Sequence, residues 1–258
     1  MDLGLEGKVC VVTGASRGIG LVTARRLCEE GARVLFVARD EERLAAAAED
    51  CGGDYLACDV TDPDADARIV ATCAEQMGGI DVLVNNAGTS RAVALDDLTD
   101  EDFDAQWRLH VLAPFRLMHE AAPRMAARGG GRVVNVSSSS GKRPGQRNVA
   151  YSVTKAALLS LSRAFADRWS GENVLVNAVT PGPVTSELWT GPGGLGEQIA
   201  GEGKAQEAID AAAEKLPLGR FSEPVEIADV IVFLCSARAS TVTGAAWSAD
   251  GGAVPVII

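Results

Sequence analysis

Tyr151 and Lys155 stand four residues apart in Ala150-Tyr151-Ser152-Val153-Thr154-Lys155-Ala156. On a helix that spacing puts both side chains on one face, with the ammonium beside the phenol. Such a pair can make a tyrosine into a working acid. A free phenol has a pKa of about 10 and each unit is worth about 1.4 kcal/mol, so activity near pH 7 needs roughly 4 kcal/mol of preferential stabilisation of the phenolate. A lysine cation within a few ångströms has the right sign to supply it. Taken alone, the pair reads as readily as two exposed side chains of an ordinary helix. Ser138 lies thirteen positions earlier, in Arg132-Val133-Val134-Asn135-Val136-Ser137-Ser138-Ser139-Ser140-Gly141, where an apolar strand runs into a loop of four serines.

A second region suits phosphate. The strand-like run Lys8-Val9-Cys10-Val11-Val12 leads into Thr13-Gly14-Ala15-Ser16-Arg17-Gly18-Ile19-Gly20 and an amphipathic stretch to about Glu30. Gly14 permits the tight turn, Gly18 lets backbone approach a pyrophosphate, and Gly20 lets the helix pack on the strand. The helix N-terminus adds N–H groups and partial positive charge. A glycine triplet alone is weak evidence; the strand before it and the helix after it carry the reading.

These groups need a scaffold. The patterning predicts strand 8–13, helix 18–30, strand 33–38, helix 41–50, strand 54–58, helix 63–78, strand 80–85, helix about 101–127, strand 132–137, helix 150–169, strand 173–179, helix 224–236 and strand 244–249. Strands alternating with helices fit right-handed crossovers of a parallel sheet. Thr61-Asp62-Pro63 predicts a helix start, and Pro114 a kink inside the fourth helix. With 258 residues and 47% hydrophobic content, one domain over 1–258 is expected, since no linker divides the chain before about residue 190.

The T-G-x-x-x-G-x-G turn, Asn85-Asn86-Ala87-Gly88, the serine thirteen before Y-x-x-x-K, Pro181-Gly182 and Asp250-Gly251-Gly252 together resemble the classical short-chain dehydrogenases/reductases, over roughly residues 5 to 252. The resemblance implies a Rossmann-type, doubly wound α/β fold with seven parallel strands in the order 3-2-1-4-5-6-7. It implies hydride transfer between a nicotinamide and a carbonyl or carbinol carbon, with Tyr151 giving or taking the oxygen-bound proton. Ser138 would bond the substrate oxygen, with Ser137 or Ser139 able to substitute only by a change of register. Lys155 would hold the nicotinamide ribose and lower the tyrosine pKa. Cofactor contacts are implied for Gly14, Ser16, Arg17, Gly18, Ile19, Gly20, Asp59, Val60, Asn86, Ala87, Gly88, Tyr151, Lys155, Pro181, Gly182, Val184 and Ser186, with Thr185 the alternative to Ser186. Where the family commonly has an asparagine at a helix distortion, this chain has His110. The backbone carbonyl can serve there as the asparagine's does, the imidazole can join the proton relay from Lys155, or the ring is a satisfied buried histidine.

Cofactor choice is readable beside the adenosine ribose. Where an NAD site usually carries a carboxylate, this chain reads Ala38-Arg39, so Arg39 and Arg17 can clamp a 2′-phosphate and NADP(H) is favoured over NAD(H). The alternative is two solvated arginines, with Asp40 or Glu41 serving the ribose.

Net charge is −11, which disfavours binding to nucleic acid or an anionic membrane. The N-terminus lacks the basic and apolar regions of a signal peptide, and no run approaches membrane-spanning length. Six scattered cysteines read as reduced thiols of a cytoplasmic protein. Two histidines leave little room for a histidine-built metal site, and no metal is expected.

The expectation is an NADP-dependent ketoreductase acting on a small carbonyl or alcohol. The alternatives are a 3-oxoacyl-thioester reductase acting on an acyl-carrier protein and, from another class, a non-catalytic NADP(H) sensor or scaffold. A carrier would call for a basic patch from Arg124, Arg128, Arg163 and Arg168. Residues from about 187 to 220, rich in glycine, occupy the place of the family's substrate lid. Arg91, Arg143, Gln146, Arg147 and Asn148 are candidates for the mouth. The resemblance and the apolar tail Ala253–Ile258 predict a homotetramer.

Overall fold

Apolar residues on both faces of each central strand dictate a sheet covered by helices on both sides. The computed structural model describes residues 1–255, so the last three residues of the apolar tail lie outside it. Seven strands, β1 (Val9–Thr13), β2 (Arg33–Ala38), β3 (Asp54–Ala57), β4 (Val82–Asn85), β5 (Gly131–Val136), β6 (Val174–Pro181) and β7 (Ala246–Ala249), pair in parallel. Their order is β3-β2-β1-β4-β5-β6-β7, as the resemblance implies. The helices are α1 (Gly18–Glu29), α2 (Glu41–Glu49), α3 (Ala65–Gln76), α4 (Asp100–Trp107), α5 (Ala113–Ala127), α6 (Val149–Trp169), α7 (Glu187–Thr190), α8 (Leu195–Ala200), α9 (Ala205–Ala213) and α10 (Pro224–Cys235). Cys10, Val12, Val34 and Phe36 point to a core shared with α1, α2 and α10. Val9, Val11, Leu35 and Val37 point to the opposite core, shared with α3, α5 and α6.

Two expectations need correction. Helix α3 begins at Ala65 rather than residue 63: Asp62 and Pro63 lie in a separate turn closed by Ala65 N donating to the Asp62 carbonyl at 3.2 Å, while the Thr61 hydroxyl donates to Asp59 Oδ1 at 2.8 Å. The expected single helix 101–127 is two helices joined by a π-helical turn, Arg108–Leu112. Pro114 lacks the N–H that an α-helix would aim at the His110 carbonyl four residues back, so the break falls before the proline rather than at it.

The strands end together at Thr13, Ala38, Asn85, Val136 and Pro181. The chain reverses direction in the sheet between β1 and β4, which places a crevice at this edge. A buried polar chain fixes its middle: Asn85 Nδ2 donates to Asn135 Oδ1 at 2.8 Å, and Asn135 Nδ2 donates to Ser162 Oγ at 2.8 Å. Beside it, buried Thr13 Oγ1 accepts from Asn86 N and Ala87 N at 3.0 Å each. Thr13→Val leaves both N–H groups without that acceptor and is expected to lower stability by about 2–4 kcal/mol, with Thr13→Ser recovering most of it. Urea unfolding checks this; an unshifted midpoint for the valine variant contradicts it.

Candidate active site

The crevice is one cavity of about 1130 Å³, lined from Gly14 and Arg17 at one end to Tyr151 and Trp189 at the other. At the first end Gly14 and Gly18 have φ of +67° and +57°, a conformation that other residues adopt only with strain. A Cβ at Gly20 would collide with Asn86 Nδ2 and the Gly14 carbonyl. Asn86 Nδ2 donates to the Thr13 carbonyl at 2.9 Å, pinning this turn to the loop after β4. Helix α1 opens at Gly18 without a side-chain cap, leaving its first N–H groups to the cavity. The shape fits a pyrophosphate. Ser16, Ile19, Asp59, Val60, Ala87 and Gly88 line the same cavity.

Arg17 and Arg39 also line it, together with Arg43. Arg43 was missed in the sequence; it lies in the first turn of α2, just after the β2 end that carries Arg39. Asp40 lines the cavity as well, and its Oδ1 accepts Arg43 N at 3.2 Å as the cap of α2. Glu41 is not among the lining residues. Arg39 Nη1 lies 3.6 Å from Asp59 Oδ2, while Arg17 Nη1 lies 3.1 Å from Glu187 Oε2.

At the other end all four serines line the cavity, and their hydrogen bonds tell Ser137 and Ser138 apart. Ser137 Oγ donates to the Lys155 carbonyl at 2.8 Å and is thereby structural. Ser138 faces the cavity and shares a hydrogen bond with the Tyr151 phenol. Gly141 lets this loop press on α6, since a Cβ there would lie 2.9 Å from the Lys155 carbonyl carbon. Lys155 Nζ sits 5.5 Å from the Tyr151 ring centroid and donates to the Val136 carbonyl at 2.8 Å. Burial drives the lysine down to about 7. Burial also raises the phenol, with the Ser138 bond acting against it. The expectation that the lysine draws the phenol toward neutrality is thus corrected: desolvation dominates both groups and discharges much of the amine near pH 7.

The His110 ring is buried and meets Tyr151 edge-on, with centroids 5.3 Å apart. Its Nε2 accepts Thr89 N–H at 3.3 Å, so Nδ1 carries the proton and donates to Thr154 Oγ1 at 3.1 Å. Thr154 in turn donates to the Tyr151 carbonyl at 2.8 Å. Burial and Lys155 hold the imidazole well below its ordinary pKa. With both nitrogens hydrogen-bonded, the ring ties the β4 loop to α6, as the reading of a satisfied buried histidine has it.

Pro181, Gly182, Val184 and Ser186 line the cavity, whereas Thr185 does not. Of the mouth candidates, Asn148 lines it, joined by Gln106, Arg108, Leu109, Leu188 and Trp189; Arg143, Gln146 and Arg147 do not. Arg91 pairs with Asp102 at 3.1 Å beside a separate cavity of about 640 Å³.

The family model described as enoyl-(acyl-carrier-protein) reductase matches residues 14–254. A 3-oxoacyl-[acyl-carrier-protein] reductase of Thermotoga maritima is 36% identical, covering 97% of this chain and 99% of that protein. A D-threitol dehydrogenase of Mycolicibacterium smegmatis is 34% identical, covering 97% and 94%. The crystal structure of L-sorbose reductase from Gluconobacter frateurii, complexed with NADPH and L-sorbose, superposes with a TM-score of 0.93 at 35% identity over the whole of both chains.

The lysine makes the fold pH-sensitive in a defined direction. Its pKa falls from 10.5 to about 7 on folding, so below about 7 both states hold the proton and the fold bears the full cost of a buried cation. Between those values the cost shrinks as pH rises, and above 10.5 it is gone. Lys155→Met is therefore expected to be more stable than the parent at pH 6 by on the order of a few kcal/mol, the gap narrowing toward pH 10. A gap independent of pH contradicts the burial argument. For His110→Leu, turnover is expected to fall about ten- to a hundredfold through misplacement of Tyr151, with both limbs of the pH profile in place; a shifted limb restores the relay.

Proposed function

Since this chain belongs to the short-chain dehydrogenase/reductase family, we propose that it is an NADP(H)-dependent ketoreductase whose proton chemistry rests on Ser138, Tyr151 and Lys155. The observation that carries the reading is the meeting of these three side chains on one wall of the cavity whose far end holds three arginines. Gly14 to Gly20 and the α1 N-terminus would hold the pyrophosphate, Asn86 to Gly88 and Pro181 to Ser186 the nicotinamide half, and Arg17, Arg39 and Arg43 a 2′-phosphate. When bound, the cofactor supplies the hydride for the carbonyl carbon. Ser138 holds the carbonyl oxygen, Tyr151 gives it the proton, and Lys155 returns a proton to the phenol. His110 keeps Tyr151 in place through Thr154.

A small, hydroxyl-bearing ketone suits a mouth where Gln106, Arg108 and Asn148 stand among Leu109, Leu188 and Trp189. Residues 187–220, three short helices over the mouth, are read as a lid of the one domain. The second reading, reduction of a 3-oxoacyl thioester on a carrier protein, draws on the Thermotoga relative. Against it, Arg124, Arg128, Arg163 and Arg168 each share their charge with a neighbouring carboxylate, which weakens a landing patch for an acidic carrier. Exposed Trp107, Phe115 and Val153, and Trp247 on edge strand β7, support a homotetramer. No helix among the described residues is long and apolar enough to cross a membrane. Six free thiols support a cytoplasmic setting.

NADPH oxidation with a panel of ketoses, diketones and acyl thioesters tests the reading. At least one substrate is expected to be reduced, and Tyr151→Phe is expected to lose about 10²- to 10⁴-fold in turnover while binding NADPH as before. Tight NADPH binding with no oxidation by any panel member supports a sensor instead.

A further inference from the structure

Glu187, the first residue of α7, lies 170 residues from Arg17 and 144 from Arg43, yet its carboxylate accepts from both. Arg17 Nη1 is 3.1 Å and Arg43 Nη1 3.2 Å from the same oxygen, Oε2. Nearby, Arg39 faces Asp59 at 3.6 Å and Arg43 Nε faces Asp40 at 3.5 Å. The three guanidinium groups are thus matched by three carboxylates. A neutral cradle holds little attraction for a phosphate dianion unless one carboxylate leaves. Asp40 is engaged as the cap of α2, and Asp59 is held by the Thr61 N–H and hydroxyl. The Glu187 carboxylate is held by the two arginines, and it sits on a four-residue helix followed by Gly191, Gly193 and Gly194.

Resting on the NADP(H) reading, we propose that Glu187 is a specificity-determining residue: an internal carboxylate that occupies the Arg17–Arg43 pair, is displaced by the cofactor's 2′-phosphate, and carries that displacement into segment 187–220. Ion pairs this exposed are individually weak. A phosphate dianion able to take paired donors from several guanidinium groups outcompetes a single carboxylate. NADH brings no such group, leaves Glu187 in place and leaves α7 held. The carboxylate therefore opposes one cofactor only, and α7 is released by the 2′-phosphorylated one.

The test is fluorescence titration of NADPH and NADH into the full-length parent, Glu187→Gln and Arg43→Ala. Glu187→Gln is expected to raise NADPH affinity about three- to tenfold and leave NADH affinity unchanged. Arg43→Ala is expected to weaken NADPH alone. A second readout is tryptic cleavage after Lys204 and Lys215: 2′,5′-ADP is expected to speed it in the parent and 5′-AMP to leave it unchanged. Glu187→Gln that shifts both cofactors alike, or leaves NADPH unchanged while the parent prefers NADPH, overturns the proposal alone. A parent that binds both cofactors equally overturns the NADP(H) reading and the proposal with it.

Discussion

The Lys155 amine is buried where β5 meets α6 in the cavity wall, and the chemistry at this end of the crevice depends on that burial. Buried lysines lose charge rather than remain as uncompensated cations. Nζ donates to the Val136 carbonyl at 2.8 Å, at the last residue of β5. Ser137, one residue on, holds the Lys155 carbonyl, and Gly141 allows the loop against α6 without a clash. The strand end, the serine loop and the helix are thus fastened to one another around one amine. Its pKa of about 7 places it where a proton can be gained or lost near neutrality, the condition under which a general acid or base is most effective.

The sheet supplies the rest. Parallel strands bring residues from distant parts of the sequence to one edge, and alternation within each strand commits both faces to the cores. Most polar groups at that edge bond one another, Asn85 Oδ1 being an exception. Thr13 accepts from the β4 loop, Asn85 reaches Asn135, Asn135 reaches Ser162, and His110 bridges Thr89 to Thr154. Each bond is worth about 1 kcal/mol when made, and leaving its partners buried and unmade costs more. The same contacts therefore support the fold and hold the reactive groups in register.

Much of this was legible in the sequence, and the rest was hidden for physical reasons. Strand and helix positions followed from apolar periodicity because both cores are dense. The glycine turn and the Tyr151–Lys155 spacing are local and could be read directly. Four consecutive serines could not be sorted without knowing that Ser137 points at the Lys155 carbonyl. The α3 start was misplaced because Asp62 and Pro63 close a turn of their own before the helix, and the π turn because periodicity does not register one extra residue in a helix. Arg43 was not singled out, since Arg39 precedes the cap of α2 and helical spacing does not relate the two. Nor was its link to Glu187, since nothing local relates residues 144 apart. Burial, also non-local, overturned the simple electrostatic account of the tyrosine.

The most direct test of this account is the ionisation of Lys155 itself. Lysine labelled with ¹³C at Cε is followed by NMR through a pH titration of the full-length protein, the Lys155 signal being identified by its loss in Lys155→Met. The account predicts a midpoint near 7, well below that of an ordinary lysine. A midpoint near 10.5, the ordinary value, would show a solvated or fully paired amine and contradict burial as the constraint that organises the site.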